Sequence, residues 1–217
     1  FEKNPENFSP NVILRPLYQE VILPNLCYIG GGGEIAYWLE LKSNFEANKV
    51  TFPMLLVRNS VLLATEKQVM KLDKLGLSWN EIFMSQELLS NKKVKEFSNF
   101  TIDFSEQKEV LKQQFKALHE IALKTDKSFI GAVKAQEAKQ LKGLDNLEKR
   151  LLKAEKRVHS ETVNRIVSLQ NELFPNNNLQ ERNVNFSEYY FEFGTKLMEE
   201  LLRELNPLSQ EIKIITL

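Results

Sequence analysis

Cysteine is almost absent from this sequence of 217 residues. Because Cys27 is the only cysteine, no disulfide can form within the chain, and a cysteine-rich zinc site is excluded. His119 and His159, the two histidines, lie far from any second ligand in the sequence, so no metal cofactor is implied. A lone free thiol fits a reducing compartment best, and we expect a cytoplasmic protein.

Net charge and long apolar runs are absent as well. The sequence has 29 Lys plus Arg and 29 Asp plus Glu, so its formal net charge is zero. Nothing global therefore favours a nucleic acid or an anionic membrane surface as the main partner. No apolar run approaches the roughly 20 residues that a membrane-spanning helix needs, so no membrane partner is expected.

Proline is missing between Pro53 and Pro175, and only Gly76, Gly131 and Gly143 interrupt that stretch. Proline costs about 3 kcal/mol in the interior of a helix, so its absence permits long helices there. The two ends of the chain hold all of the prolines and are punctuated like an α/β domain.

The apolar residues of the proline-free stretch repeat in steps of three and four, as in the heptad seam of a coiled coil. The series is Leu144, Leu147, Leu151, Ala154, Val158, Thr162, Ile166, Leu169 and Leu173. Successive steps of four predict a stutter near Val158 to Thr162, where the supercoil locally unwinds. A helix over residues 127–173 would be about 70 Å long and could not bury this seam alone.

The nearest partner for this helix is the one that precedes it, predicted from Ser105 to about Lys124. We expect the two helices to fold back antiparallel about a hinge at residues 125–128, where the apolar pattern breaks. A second copy of the chain is a further candidate for covering the seam.

The first segment follows a strand, glycine, helix, strand pattern. Residues 26–29 are a short apolar run that ends at four glycines, residues 30–33. A helix follows from Glu34, and residues 54–57 and 61–64 form further apolar runs. This order predicts a βαβ unit, and continuous apolar strands indicate a sheet covered on both faces.

Helices are also predicted over residues 66–75, 78–89 and 187–205. A further helix start is predicted at Asp103, with Glu106 three residues later as in a capping box. In the last predicted helix, the residues expected to point inward are Tyr190, Phe193, Leu197, Leu201 and Leu202. A final strand over residues 211–215 is expected to join the sheet of the first segment.

The fold class is therefore α/β, with a long helical arm inserted into the core. We predict three parts along the chain. Residues 1–98 belong to the core, residues 99–175 form the antiparallel coiled-coil arm, and residues 176–217 return to the core as a helix and a strand.

The glycines at residues 30–33 are the most informative short feature. Glycines between a strand and a helix let backbone amides approach a ligand, and the helix N-terminus favours an anion there. Gly31, Gly33 and Ala36 fit the loose dinucleotide pattern, but no acidic residue follows a second strand at the usual spacing. Glu34 would also repel a phosphate unless a cation lies nearby. A ligand loop and a simple tight turn both remain open.

Polar and aromatic residues lie at the edges of this predicted unit. Arg15 and Arg58 could hold a carboxylate or phosphate in a bidentate fork. Gln19, Tyr37 and Trp38 accompany them. The alternative is that the aromatic residues are ordinary packing and that each arginine lies on the surface.

Three pairs of stretches resemble the bacillithiol biosynthesis cysteine-adding enzymes. They are FSPNV (residues 8–12) with LRPLYQE (14–20), YIGG (28–31) with GEIAYW (33–38), and LFP (173–175) with LQER (179–182). Their order and the intervening coiled coil also agree, so the resemblance covers essentially the whole chain.

The resemblance implies a ligase that joins cysteine to the amino sugar of glucosaminyl-malate in the last step of bacillithiol synthesis. It implies a Rossmann-like core related to nucleotide-binding synthetases, hence ATP or ADP as a cofactor, and a homodimer formed through the coiled coil. Members of the family are about twice as long as this chain. We therefore expect this segment alone to be inactive, because the N-terminal half supplies much of the core.

Under the same resemblance, a set of residues is expected to line a substrate or nucleotide pocket. These are Arg15, Gln19, Gly31, Gly33, Glu34, Tyr37, Trp38, Arg58, Gln180 and Arg182. Gln180, Glu181 and Arg182 lie where the arm returns to the core, so they either contribute to the pocket or lock the junction. No catalytic acid or base can be named.

A non-enzymatic alternative is a coiled-coil dimerisation or scaffold protein with a degenerate nucleotide-binding core. An open, polar-lined site beside Gly31 would favour the enzyme. A site closed by packed side chains would favour the scaffold.

Overall fold

The computed structural model describes residues 3–125 and 127–217. It divides the chain into two compact units. The α/β unit combines residues up to Ala64 with residues 179–217, and the helical unit comprises residues 65–178 between them. In sequence the helical unit is thus an insertion, as predicted.

The α/β unit opens with a 3₁₀ turn (Pro5–Asn7) and helix α1 (Leu14–Ile22). Strand β1 (Cys27–Gly30), helices α2 (Gly32–Glu40) and α3 (Lys42–Ala47), and strands β2 (Met54–Val57) and β3 (Ser60–Ala64) follow. β1 and β2 are parallel, with Cys27 opposite Met54 and Gly30 opposite Val57. This confirms the predicted βαβ unit.

Aromatic residues fill the space between this sheet and its helices. Trp38 on α2 and Phe45 on α3 are fully buried. The Tyr28 ring of β1 stacks on Trp38 with ring centroids 3.9 Å apart, and Phe45 meets Phe52 edge to face at 5.0 Å. Stacked and edge-to-face pairs stabilise beyond their buried area, so this cluster fixes the direction in which α2 leaves β1.

The helical unit begins with α4 (Glu66–Lys74), α5 (Trp79–Ile82) and α6 (Gln86–Phe97). A long pair follows, α7 (Ser105–Ala122) and α8 (Lys127–Val158), then α9 (Ser160–Leu173) and a 3₁₀ turn (Pro175–Asn177). The single helix predicted over residues 78–89 is wrong. Ser85 divides it, because its hydroxyl accepts the Leu88 N–H and caps a new helix.

α7 and α8 pack antiparallel, which confirms the predicted arm. Phe115 and Ala122 of α7 pack with Val133 of α8. Lys108 lies 2.7 Å from Asp145 and 2.8 Å from Glu148, so the two helices are also joined by ion pairs. The predicted hinge at residues 125–128 includes Asp126, which lies outside the described residues.

The start of α7 differs from the predicted capping box. The Asp103 carboxylate accepts the Ser105 N–H at 2.9 Å, and Phe104 is the N-cap residue. Asp103 therefore stabilises the approach to the helix as an Asx turn, which is common where a chain enters a helix.

His159 separates α8 from α9, with backbone φ −95° and ψ 20°. This break lies inside the predicted stutter, where the apolar spacing departs from the heptad. α6 packs against both α8 and α9. The part of the apolar seam (residues 144–173) that α7 does not cover is therefore covered by α6. For this reason residues 65–98 group with the arm, although the sequence placed them in the core.

A buried lysine of α6 bonds to α5 and to the segment between α4 and α5. The Lys93 side chain is 6% exposed and its ammonium donates to the Gly76 carbonyl at 2.8 Å. The same ammonium lies 2.8 Å from Glu96 and 3.1 Å from Glu81. The pKa of Glu81 is lowered to about 2, chiefly by its bond from Lys92 and then by the Ser78 N–H.

The chain then returns to the α/β unit through α10 (Gln180–Asn183), α11 (Phe186–Phe193), α12 (Thr195–Glu204) and strand β4 (Ile212–Thr216). β4 pairs parallel with β3, with Ser60 opposite Ile212. Within the described residues, β1–β2 and β3–β4 are two separate two-stranded sheets. The predicted final strand is confirmed, but its partner is β3 alone.

The helix predicted over residues 187–205 is broken at Gly194, whose φ of 61° is left-handed. This turn reorients α12 relative to α11. Leu197 is buried with Leu63 and Ile215, and Phe193 and Leu201 pack around them, as predicted. Leu202, also predicted to be inward, is 83% exposed, because it lies about 140° around α12 from the buried Leu197.

None of the helices described by the structure has the length and apolar character needed to cross a membrane.

Candidate functional site

The connection between β1 and α2 is very short. Gly30 ends the strand, Gly31 is the N-cap residue and Gly32 begins the helix. The Glu34 carboxylate accepts the Gly31 N–H at 2.9 Å, and the Gly30 carbonyl accepts the Arg58 N–H, also at 2.9 Å. The predicted glycine loop is thus a tight turn whose later glycines belong to the first turn of α2.

The start of α2 is crowded at Gly30 and open at Gly32 and Gly33. A Cβ added at Gly30 would lie 2.9 Å from the Tyr28 ring, so this glycine is required by close packing. At Gly32 and Gly33 an added Cβ would have no neighbour within 4 Å among the described residues. The first turn of α2 is therefore open, and the helix N-terminus favours negative charge there.

Two arginines converge on Gly31. A Cβ placed on Gly31 would lie 3.5 Å from an Arg182 guanidinium nitrogen and 3.8 Å from the Arg58 guanidinium carbon. Arg58 directly follows β2, and Arg182 comes from α10, which follows the arm in sequence. Their side chains are 47% and 50% exposed, so both guanidiniums can reach a ligand from solvent.

Glu181 lies between these arginines. Its Oε1 is 3.8 Å from an Arg58 nitrogen, 4.0 Å from the Arg182 Nε and 3.5 Å from the Ser60 hydroxyl. We name Arg58, Glu181 and Arg182 the arginine clamp. Ser60 had not been predicted, and its position at the start of β3 offers no pattern that would single it out.

Gln180 bonds α10 to strand β3. It is 5% exposed, and its side-chain amide makes two bonds to the Leu63 backbone, one to the N–H and one to the carbonyl, each 3.0 Å long. The side chain thereby pairs with β3 as a neighbouring strand would. Of the two roles predicted for this stretch, this geometry matches a lock of α10 onto β3.

Arg15, Gln19 and Tyr37 form a second group. The Arg15 guanidinium donates to Gln19 at 2.9 Å and to the Tyr37 hydroxyl at 3.2 Å, which links α1 to α2. Bonds to Tyr37 and then Tyr28 raise the pKa of Arg15 further above its ordinary value. Tyr28, which was not predicted to be a site residue, therefore acts on Arg15 together with Tyr37.

Trp38 lies in the core of the α/β unit. It is fully buried, and its indole N–H has no hydrogen-bond partner among the described atoms. Its role in the described structure is packing, which corresponds to the alternative considered for the aromatic residues. The structure thus brings together Gly31, Glu34, Arg58 and Arg182 of the predicted set.

Across residues 3–125 and 127–217, no group of three or more His, Cys, Asp or Glu side chains could hold a metal ion.

Comparison with known proteins gives matches over the whole chain. Residues 1–59 match the family model described as "Bacillithiol biosynthesis BshC, N-terminal Rossmann-like domain". Residues 61–217 match the model of the C-terminal coiled-coil domain of the same family. The resemblance drawn from the motifs and the fold class of a Rossmann-like core with a helical arm are both confirmed.

Curated relatives agree. A protein of Flavobacterium psychrophilum named "Putative cysteine ligase BshC" is 64% identical over 99% of this chain, which spans 40% of the relative. Relatives of the same name from Flavobacterium johnsoniae and Lysinibacillus sphaericus are 64% and 31% identical. They are matched over 100% and 94% of this chain and 41% and 38% of their own lengths. The chain therefore spans about two fifths of each relative, and it belongs to the bacillithiol biosynthesis BshC family.

Proposed function

We propose that this chain is the C-terminal part of a ligase that adds cysteine to glucosaminyl-malate, completing bacillithiol. The family and the printed name of its relatives support this assignment. The structural observation that carries it is the arginine clamp beside Gly31, where two half-exposed guanidiniums converge on the open first turn of α2.

The clamp suits a ligand that carries carboxylate or phosphate groups. Guanidiniums bind such groups through paired N–H donors, and the α2 N-terminus adds a favourable dipole. The malate part of glucosaminyl-malate and the phosphates of ATP or ADP both have this chemistry. In amide formation, we assign Arg58 and Arg182 the roles of positioning an anionic group and offsetting its charge.

A nucleotide would supply activation of the cysteine carboxyl group, and we propose ATP or ADP as the cofactor. Gly31 and Gly33 would let such a ligand approach the α2 backbone. Arg15 and Gln19 would support the site from α1, because Arg15 donates to Tyr37 of α2. We expect activity only with the remaining three fifths of the protein, and we place the enzyme in the cytoplasm.

The direct test is product formation by the full-length protein given cysteine, glucosaminyl-malate and ATP, followed by mass spectrometry. Arg58→Gln and Arg182→Gln should each lower the rate while leaving the unfolding temperature unchanged, since both side chains are about half exposed. Arg203→Gln is the matched control, because Arg203 is an exposed arginine that pairs with Glu200 and Glu204 on α12. Equal activity of all three variants would contradict the assignment.

Absence of product from a folded wild-type protein, with or without ATP, would instead favour the scaffold function. In that outcome the clamp would be a surface ion-pair cluster, and the arm would be the part of the molecule to study.

We also propose that the arm forms a homodimer. One face of α7 packs on α8, yet Val110, Leu118 and Ile121 of α7 stay 50%, 44% and 54% exposed. An apolar stripe on a coiled-coil helix is the feature that a second copy would cover. Ile121→Glu should convert the dimer to a monomer in light scattering, whereas the control Lys116→Glu should not. A monomeric wild-type protein would refute the proposal.

A further inference from the structure

We propose that the Glu181 carboxylate is an internal substitute for an anionic ligand, and that it leaves the arginine clamp when a ligand carboxylate or phosphate binds there. This inference rests on the proposed anion site and adds a competitor within it. The ligand class is an anion with two or more oxygens that can bridge Arg58 and Arg182.

The first reason is the poor geometry of the present contacts. One oxygen, Glu181 Oε1, is shared by Arg58 at 3.8 Å and Arg182 at 4.0 Å. Both distances exceed the 2.7–3.2 Å of a direct N–H···O bond. Charge-assisted guanidinium–carboxylate bonds are normally about 2.7–2.9 Å long and are often bidentate. A free ligand can adopt that geometry, whereas Glu181 is tied to its backbone position.

The second reason is that the bonds that anchor α10 are made by Gln180 and not by the Glu181 side chain. The preceding residue, Gln180, is anchored to Leu63 by two bonds of 3.0 Å. Glu181 reaches the clamp through side-chain torsions alone, and its side chain is 24% exposed. Rotation into solvent therefore needs no movement of α10. Glu34, the other carboxylate near Gly31, is already committed to the Gly31 N–H at 2.9 Å.

The third reason is charge. Two guanidiniums face one carboxylate, so the clamp keeps an excess of one positive charge. An incoming anion would be attracted by that excess and would repel Glu181 at short range. When an anion replaces the Glu181 carboxylate, both arginines keep an anionic partner. When no ligand is bound, the Glu181 carboxylate offsets the repulsion between the two guanidiniums.

The experiment measures binding of inorganic phosphate and of malate, separately, to the full-length protein by calorimetry. Glu181→Gln removes the competing charge with almost no change of shape, and should raise the affinity for the bound probe about two- to fivefold, the range expected for a partly exposed ion pair. Arg58→Gln should lower the same affinity. Glu204→Gln is the matched control, because Glu204 is a carboxylate of the same unit that pairs with Arg203 and Lys213.

Unchanged or weaker binding by Glu181→Gln, or binding of neither probe by the wild-type protein, would overturn the inference. Should Glu181→Gln be unstable by thermal unfolding, Glu181→Ala provides the same comparison. A response with phosphate alone assigns the clamp to a nucleotide, and a response with malate alone assigns it to the sugar substrate. Because binding is measured without turnover, a failed ligase assay with intact anion competition would refute only the proposed reaction.

Discussion

Replacing Lys93 with methionine should be among the most destabilising single changes in the helical unit. Methionine keeps most of the side-chain volume but removes the ammonium, which bonds the Gly76 carbonyl at 2.8 Å and pairs with Glu96 and Glu81 at 2.8 and 3.1 Å. The Lys93 side chain is 6% exposed, so water cannot readily replace these partners.

The size of the effect follows from what is left unpaired. Loss of a donor costs about 1–3 kcal/mol when the acceptor is buried, and bonds to charged groups are worth about 1.5–3 kcal/mol. Breaking a fully buried ion pair costs about 3–5 kcal/mol. Glu81 would retain Lys92 at 2.7 Å, and Glu96 is 43% exposed, so the cost should not reach the upper part of that range. We expect a free-energy loss of about 2–4 kcal/mol.

Thermal unfolding of the full-length protein, followed by helical circular dichroism, measures this loss. About 4 °C per kcal/mol is expected for a unit of this size, so Lys93→Met should lower Tm by roughly 8–16 °C. Lys92→Met is the matched control, since Lys92 is the adjacent lysine, pairs with the same Glu81 and is 45% exposed. Its cost should stay below about 1 kcal/mol. Equal shifts for the two variants would refute the argument from burial.

Three further predictions concern stability. The pKa of Glu81 falls to about 2 when the protein folds, so the stabilisation from its ionised carboxylate is present above about pH 4.5 and is lost as the pH falls towards 2. Between these pH values, the Tm of Glu81→Gln should depend less steeply on pH than the Tm of the wild-type protein. Parallel curves of Tm against pH would contradict this prediction. Gly194→Ala should cost about 1–2 kcal/mol in urea unfolding because φ is 61°, whereas Gly143→Ala, inside α8 with open space around it, should stabilise by about 0.5–1 kcal/mol. Gln180→Leu should cost about 2–3 kcal/mol and speed hydrogen exchange of the Leu63 amide; an unchanged exchange rate would show that the lock is dispensable.

Local patterns in the sequence were sufficient for much of the fold. The apolar runs around four glycines predicted the βαβ unit, and the steps of three and four predicted an antiparallel arm with a defect near Val158, where His159 interrupts the helix. Such patterns work because each reflects the period of one element, two residues in a strand and 3.6 in a helix. Two of the errors fell where a single residue interrupts a helix, at Ser85 and at Gly194.

The site was predicted only in part. The motifs identified Gly31 and Arg182, and Arg58 stood out as a polar residue at the edge of the predicted unit, but the sequence did not indicate that Glu181 would stand between the arginines or that Ser60 would join them. Arg58 and Arg182 are separated in sequence by the entire helical unit, and no periodicity relates them.

The sequence by itself determined the elements, the heptad seam of the arm and, through its motifs, the family. Only the tertiary structure decided that β4 pairs with β3, that α6 takes over from α7 beside α8, and that Gln180 bonds to the backbone of Leu63, 117 residues away. The physical reason is that propensity and periodicity act between near neighbours in the chain, whereas strand pairing, burial and side-chain bonds depend on which distant segments fold into contact.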